Sequence, residues 1–146
     1  MDRIQHLNQV IDTAIDNAEN LKSKLTASIL GLEGMSGIKG RHFLNNLIYE
    51  GSRYLEIGSW KGSTLCSALY KNKPEKSFCI ENYSQFGGHE ELHENIKKFV
   101  NNDHSTIICD SFSVDIKEND ISDIDIYFYD GAHGLDDHTK ALEYFI

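Results

Sequence analysis

The chain has 146 residues, 40% hydrophobic and 25% charged, which suits one soluble domain with a real core. Its formal net charge of −9 argues against a polyanionic partner such as DNA or RNA, because nucleic-acid binding needs a basic face. The N-terminus MDRIQHLNQV has no apolar signal core and no run approaches a membrane span, so a cytoplasmic protein without a membrane partner is expected. Cys66, Cys79 and Cys109 form no CxxC pair and lie in apolar stretches, which predicts three buried free thiols rather than a zinc site.

The predicted elements begin with a helix over Arg3 to Leu25. Ile4, Leu7, Ile11, Ala14, Ala18, Leu21 and Leu25 form its apolar stripe, and Asp2 is placed to cap it. Glycines at 31, 34, 37 and 40 read as a flexible loop. A second helix follows over RHFLNNLIYEG, with Phe43, Leu44, Leu47 and Ile48 on one face and Gly51 as its stop. Residues 1–50 thus read as an N-terminal helical part, and 51–146 as the main unit of one structural domain.

From Arg53 onward, strands and helices alternate. YLEIG, SFCIEN, STIICD and IDIYFYD read as strands; STLCSALYK, HEELHENIKKFV and LDDHTKALEYFI read as helices. That alternation predicts an α/β, Rossmann-like, doubly wound parallel sheet, whose ligands bind at the carboxyl ends of the strands. The residues there are Gly58, Ser59, Trp60, Lys61 and Gly62; then Glu81 and Asn82; then Asp110 and Ser111; then Asp130, Gly131, Ala132 and His133.

Glu81 lies 23 residues beyond Gly58, where an acid accepts from ribose hydroxyls. The phosphate half of a dinucleotide fingerprint is missing, since GxGxxG needs glycine where this chain has Trp60. A nucleoside without a pyrophosphate, together with Glu56 near the glycine turn, points to a ligand with a cationic end. S-adenosylmethionine has that chemistry.

With these residues in view, the chain resembles the class I S-adenosylmethionine-dependent methyltransferases. LEIGSWKGST resembles their motif I, IEN at 80–82 their ribose-binding acid, CDS at 109–111 the segment beside the adenine, and IDIYFYDGAHGLDDHTKAL their fourth motif. The last is similar to the form in methyltransferase family 24 and in the catechol and caffeoyl-CoA O-methyltransferases. MSGIKGRHFLNNLI is similar to the stretch ahead of motif I in the caffeoyl-CoA group.

The resemblance implies strand order 3-2-1-4 for the four strands present and a small-molecule oxygen as acceptor. It also implies roles for individual residues. Met35 and Ser36 cover the methionine end of the cofactor. Glu56 faces the ammonium group, directly or through water. Gly58 and Gly62 let the backbone approach, and Ser59 and Ser63 lie near the carboxylate. Glu81 with Asn82 marks the ribose, and Asp110 with Ser111 the adenine. Asp130 is where metal-dependent relatives ligate a divalent cation such as magnesium, and His133 is the candidate catalytic base beside it. The other six histidines read as surface or capping residues.

The family's complete sheet has seven strands, and this chain reaches Ile146 where the fifth would begin. Either a fragment of a longer product is expected, or a homodimer or other oligomer covering the fourth-strand edge, with Tyr144, Phe145 and Ile146 as an apolar contact surface. Two rival readings stand beside methyl transfer: a non-catalytic S-adenosylmethionine-binding module, and a nicotinamide-dependent oxidoreductase.

Overall fold

A computed structural model describes residues 2–146. Its centre is a four-stranded parallel sheet in the order β3-β2-β1-β4, built from β1 (Arg53–Ile57), β2 (Lys76–Glu81), β3 (His104–Ile108) and β4 (Ile126–Tyr129). The order 3-2-1-4 is the one expected. It places β1 between β2 and β4, so the strand order reverses beside β1, where a parallel sheet leaves a crevice.

Each strand of the sheet centre is buried on both faces, which explains the nearly continuous apolar runs in β1 and β2. On one face Tyr54 and Cys79 pack with Leu65, Ala68 and Leu69 of α4 (Ser63–Leu69), Leu44 of α3 (Ile38–Leu47) and Leu92 of α5 (His89–Phe99). Every residue of α4 is buried, and its small side chains let the neighbouring elements close over it. On the other face Leu55, Ile57, Phe78 and Ile80 meet Val114, Ile121 and Phe145. No helix links β3 to β4; that connection covers the second face with turns, and α6 (Leu135–Phe145) follows β4.

The N-terminal helix α1 (Arg3–Glu19) is capped as expected, with the Asp2 carboxylate accepting from Gln5 N at 2.8 Å. It stops six residues before the predicted end, because Leu21 turns into the left-handed region at φ 53°. Only Ala14 and Ala18 of its predicted stripe are buried; Ile4, Ile11 and Leu21 are exposed. The glycine segment is not a loose connector. The short α2 (Ala27–Leu30) precedes it, α3 already begins at Ile38, and the buried Arg41 side chain binds the intervening backbone. The second helix ends at Leu47, since Ile48 is already extended; Gly51, at φ 82°, belongs to the turn that leads into β1.

Polar clamps fasten these helices to the sheet unit. Asn45 receives Lys24 N and donates to the carbonyls of Ser67 and Tyr70 at 2.8 and 3.1 Å. Asn72 donates to the carbonyls of Asn45 and Ala68 and accepts from Lys24 Nζ. His42, expected at the surface, is buried with Nδ1 2.7 Å from Ser23 Oγ. His104 is half-buried on β3 with Nδ1 2.8 Å from Ser77 Oγ, and desolvation depresses its pKa to about 4. Cys66 and Cys79 are buried free thiols, whereas Cys109 is only half-buried. At the other end, Tyr144 donates to Val114 O and Phe145 packs against Tyr127, while Leu142, Tyr144 and Ile146 keep exposed surface.

Candidate ligand cleft at the strand ends

The carboxyl ends of all four strands open into one cavity of about 680 Å³. Of the expected site residues, Met35, Ser36, Gly58, Ser59, Ser63, Glu81, Asn82, Asp110, Ser111, Asp130 and His133 line it; Glu56 and Gly62 do not. The sheet brings these residues together from loops spread over almost a hundred positions.

The floor is the turn between β1 and α4. It holds three left-handed residues, Gly58 (φ 82°), Trp60 (φ 45°) and Gly62 (φ 85°). A side chain on Gly58 would begin 2.2 Å from Asp130 O, so this glycine is required by the crossing of the β1 and β4 loops. A side chain on Gly62 would begin 2.7 Å from Leu92 Cδ1. Both glycines therefore serve close protein packing first, and the expected approach of backbone to ligand is left to Gly58. Trp60 tolerates a conformation rare outside glycine because its amide is held by the Glu81 carboxylate at 2.8 Å.

Glu81 does more than end a strand. Its Oε1 accepts from Asn82 N and Tyr83 N at 2.9 and 2.8 Å, and its Oε2 from Trp60 N. A carboxylate has about four acceptor positions, so three amides leave one on Oε2, and Glu81 lines the cavity. Asn82 bridges to Asp110 Oδ1 at 2.8 Å and ties the second loop to the third. Phe112 and Tyr129 lie nearly parallel beside them, with ring centroids 6.5 Å apart.

Glu56 is completely buried one layer behind the wall. Tyr54 Oη donates to its Oε2 at 2.6 Å, and Thr64 Oγ1 to its Oε1 at 2.7 Å. Thr64, not Glu56, faces the cavity. Burial raises the Glu56 pKa to about 7; the hydrogen bonds from Tyr54 and Thr64 pull the other way, and the Asp130 charge adds to the rise. Ser59 Oγ lies near enough to favour the charged form but makes no hydrogen bond.

On the opposite wall, burial raises the Asp130 pKa, a rise moderated by His133, whose Nε2 is 3.6 Å from Asp130 Oδ1. His133 is well exposed and its ring lies 5.8 Å from that of His138. Among the described residues no three His, Cys, Asp or Glu side chains gather to hold a metal, so the expected magnesium at Asp130 gains no support.

Ser59 Oγ, Trp60 Nε1 and Tyr83 Oη are buried without a hydrogen-bond partner, and all three residues line the cavity. Such atoms suit a ligand rich in polar groups. The sequence reading missed Thr64, which lines the cavity, and the buried Arg41. The i, i+2 pairing of Tyr54 with Glu56 on one face of β1 was the available sign that Glu56 points inward.

A crystal structure from Pyrococcus horikoshii, described as a "putative RNA methyltransferase", aligns with this chain at TM-score 0.52 and 18% identity. The fold is methyltransferase-like. The alignment covers 92% of this chain and 60% of that one, so the chain spans about three fifths of the solved protein's length. No protein-family model and no curated protein matches the chain. The methyltransferase-like sheet is thus shared, while the finer resemblance to methyltransferase family 24 and the catechol and caffeoyl-CoA group rests on the motifs alone.

Proposed function

We propose that this chain binds S-adenosylmethionine and serves methyl transfer to an oxygen of a small-molecule acceptor. The observation that carries this reading is the fixed Glu81. Its carboxylate is held by three backbone amides beside the glycine turn, lines the cavity and has one acceptor position left. When bound there, the cofactor supplies a methyl group on a sulfonium. The chain's own part is to seat the nucleoside, exclude water and place the acceptor.

Glu81 holds the ribose, Asn82 and Asp110 form the edge near the base, and Ser59 and Ser63 offer hydroxyls toward the amino-acid end. His133 takes the acceptor proton, with Asp130 stabilising the imidazolium that results. The net charge of −9 favours a small molecule over a polyanion as acceptor.

Titration calorimetry with S-adenosylhomocysteine, paired with a methyl-transfer assay on phenolic and catecholic acceptors, tests the proposal. Binding with turnover that falls strongly in His133→Ala supports it. Binding without turnover on any acceptor leaves a cofactor-binding module. Binding of NAD with no affinity for S-adenosylhomocysteine would replace it with an oxidoreductase.

A further inference from the structure

Two buried ionisable side chains, one acidic and one basic, stand behind the cavity wall, each with one hydroxyl between it and the cavity. The first is Glu56 behind Thr64. The second is Arg41, which is 4% exposed and has no carboxylate partner among the described residues. Its Nε donates to Ser36 Oγ at 2.8 Å, Nη1 to the carbonyls of Leu30 and Leu32, and Nη2 to Gly34 O at 3.4 Å. A buried cation satisfied only by neutral oxygens keeps its full charge in a poorly screened place. It also sits in the first turn of α3, where the helix dipole adds positive potential and no acidic side chain answers it.

Hydrogen-bond direction carries these charges to the cavity wall. Thr64 spends its proton on Glu56, so toward the cavity it can only accept. Ser36 accepts from Arg41, so its own proton is free to be donated. Both residues line the cavity, together with Ser63, and Ser63 Oγ and Arg41 Nη2 lie 1.9 and 3.1 Å from the point where a Gly34 side chain would begin. One hydroxyl is thus an acceptor backed by a buried carboxyl group, and the other a donor backed by a cation.

We propose that Arg41 is a positioning residue that orients and polarises Ser36 to receive a carboxylate, making the cleft select a zwitterionic amino-acid group rather than any nucleoside thioether. The proposal rests on the reading of the cleft as an S-adenosylmethionine site. Glu56 and Thr64 meet the ammonium; Arg41 and Ser36 meet the carboxylate.

Calorimetry on the full chain with two probes tests this. S-adenosylhomocysteine carries the amino-acid group; 5′-methylthioadenosine shares its adenosine and sulfur and lacks that group. Arg41→Met and Ser36→Ala should each weaken S-adenosylhomocysteine about tenfold or more, the scale of a charge-assisted hydrogen bond. 5′-Methylthioadenosine should change less than about twofold. Arg41→Lys, which keeps the charge without the fork, should recover part of the loss. Equal losses for both probes, or none, would overturn the relay while leaving the cofactor reading intact. Failure of the wild-type chain to bind either probe would overturn both. Ser36→Ala leaves the Arg41 backbone contacts in place, so it decides the matter if Arg41→Met does not fold.

Discussion

Replacing Glu56 by glutamine gives the sharpest test of how the cleft is built. The folded state holds the Glu56 proton up to pH of about 7, whereas an unfolded chain releases it near the ordinary 4.5. Between those values the folded state binds more protons, so stability falls as pH rises through the window. At roughly 1.4 kcal/mol per unit, the shift is worth about 3 kcal/mol once the group is fully ionised. The total profile mixes this with other groups. His104, depressed to about 4, binds fewer protons folded than unfolded, so it lends stability that grows as pH rises between about 4 and 6.5. The two trends oppose each other, and the difference between wild type and Glu56→Gln removes what they share. Urea denaturation from pH 4.5 to 8.5 should show the variant gaining about 3 kcal/mol on wild type across that range. A difference that stays constant with pH would mean that Glu56 titrates normally, and the picture of a desolvated acid behind Thr64 would be wrong.

Other perturbations have outcomes as definite. S-adenosylhomocysteine should bind wild type more tightly as pH rises through about 7, because its ammonium needs the charged Glu56; Glu56→Gln should flatten that dependence in calorimetry. Glu81→Ala should cost about tenfold to a hundredfold in affinity for both S-adenosylhomocysteine and 5′-methylthioadenosine, since both carry the ribose, and an unchanged affinity would remove the ribose assignment. Gly58→Ala should destabilise the fold by about 2–4 kcal/mol in chemical denaturation, because a Cβ there meets Asp130 O at 2.2 Å on a left-handed backbone. Asn45→Ala should cost about 2–3 kcal/mol by stranding Lys24 N and two buried carbonyls, with less effect on ligand affinity than on unfolding.

The sheet was readable because parallel strands buried on both faces leave continuous apolar runs, and because each run ends in a turn-forming or acidic residue. That same regularity located Glu81, Asp110 and Asp130 at the cleft. Glu56 was recognised as informative but placed one layer too far forward: its wall position belongs to Thr64, which follows eight residues later on a helix and carries no local sign of the contact. Arg41 was invisible for a similar reason. Its partners are carbonyls at positions 30, 32 and 34, and any residue type supplies a carbonyl. The early end of α1 had no glycine to announce it, since Leu21 itself takes the left-handed turn. His42 lies inside because Ser23 meets it there, a pairing set by how α1 and α3 cross.

The contact of Gly58 with the Asp130 backbone, and of Trp60 with Glu81, has a consequence for how such a protein can diversify. The floor of the cleft is interlocked across β1, β2 and β4, so a substitution in one of these loops is felt by the other two. The rim residues Met35 and His133 are exposed, and the contact of His133 with Asp130 stays within one loop. Rim positions can therefore change at little structural cost, while a change in the floor must be accommodated in three loops at once.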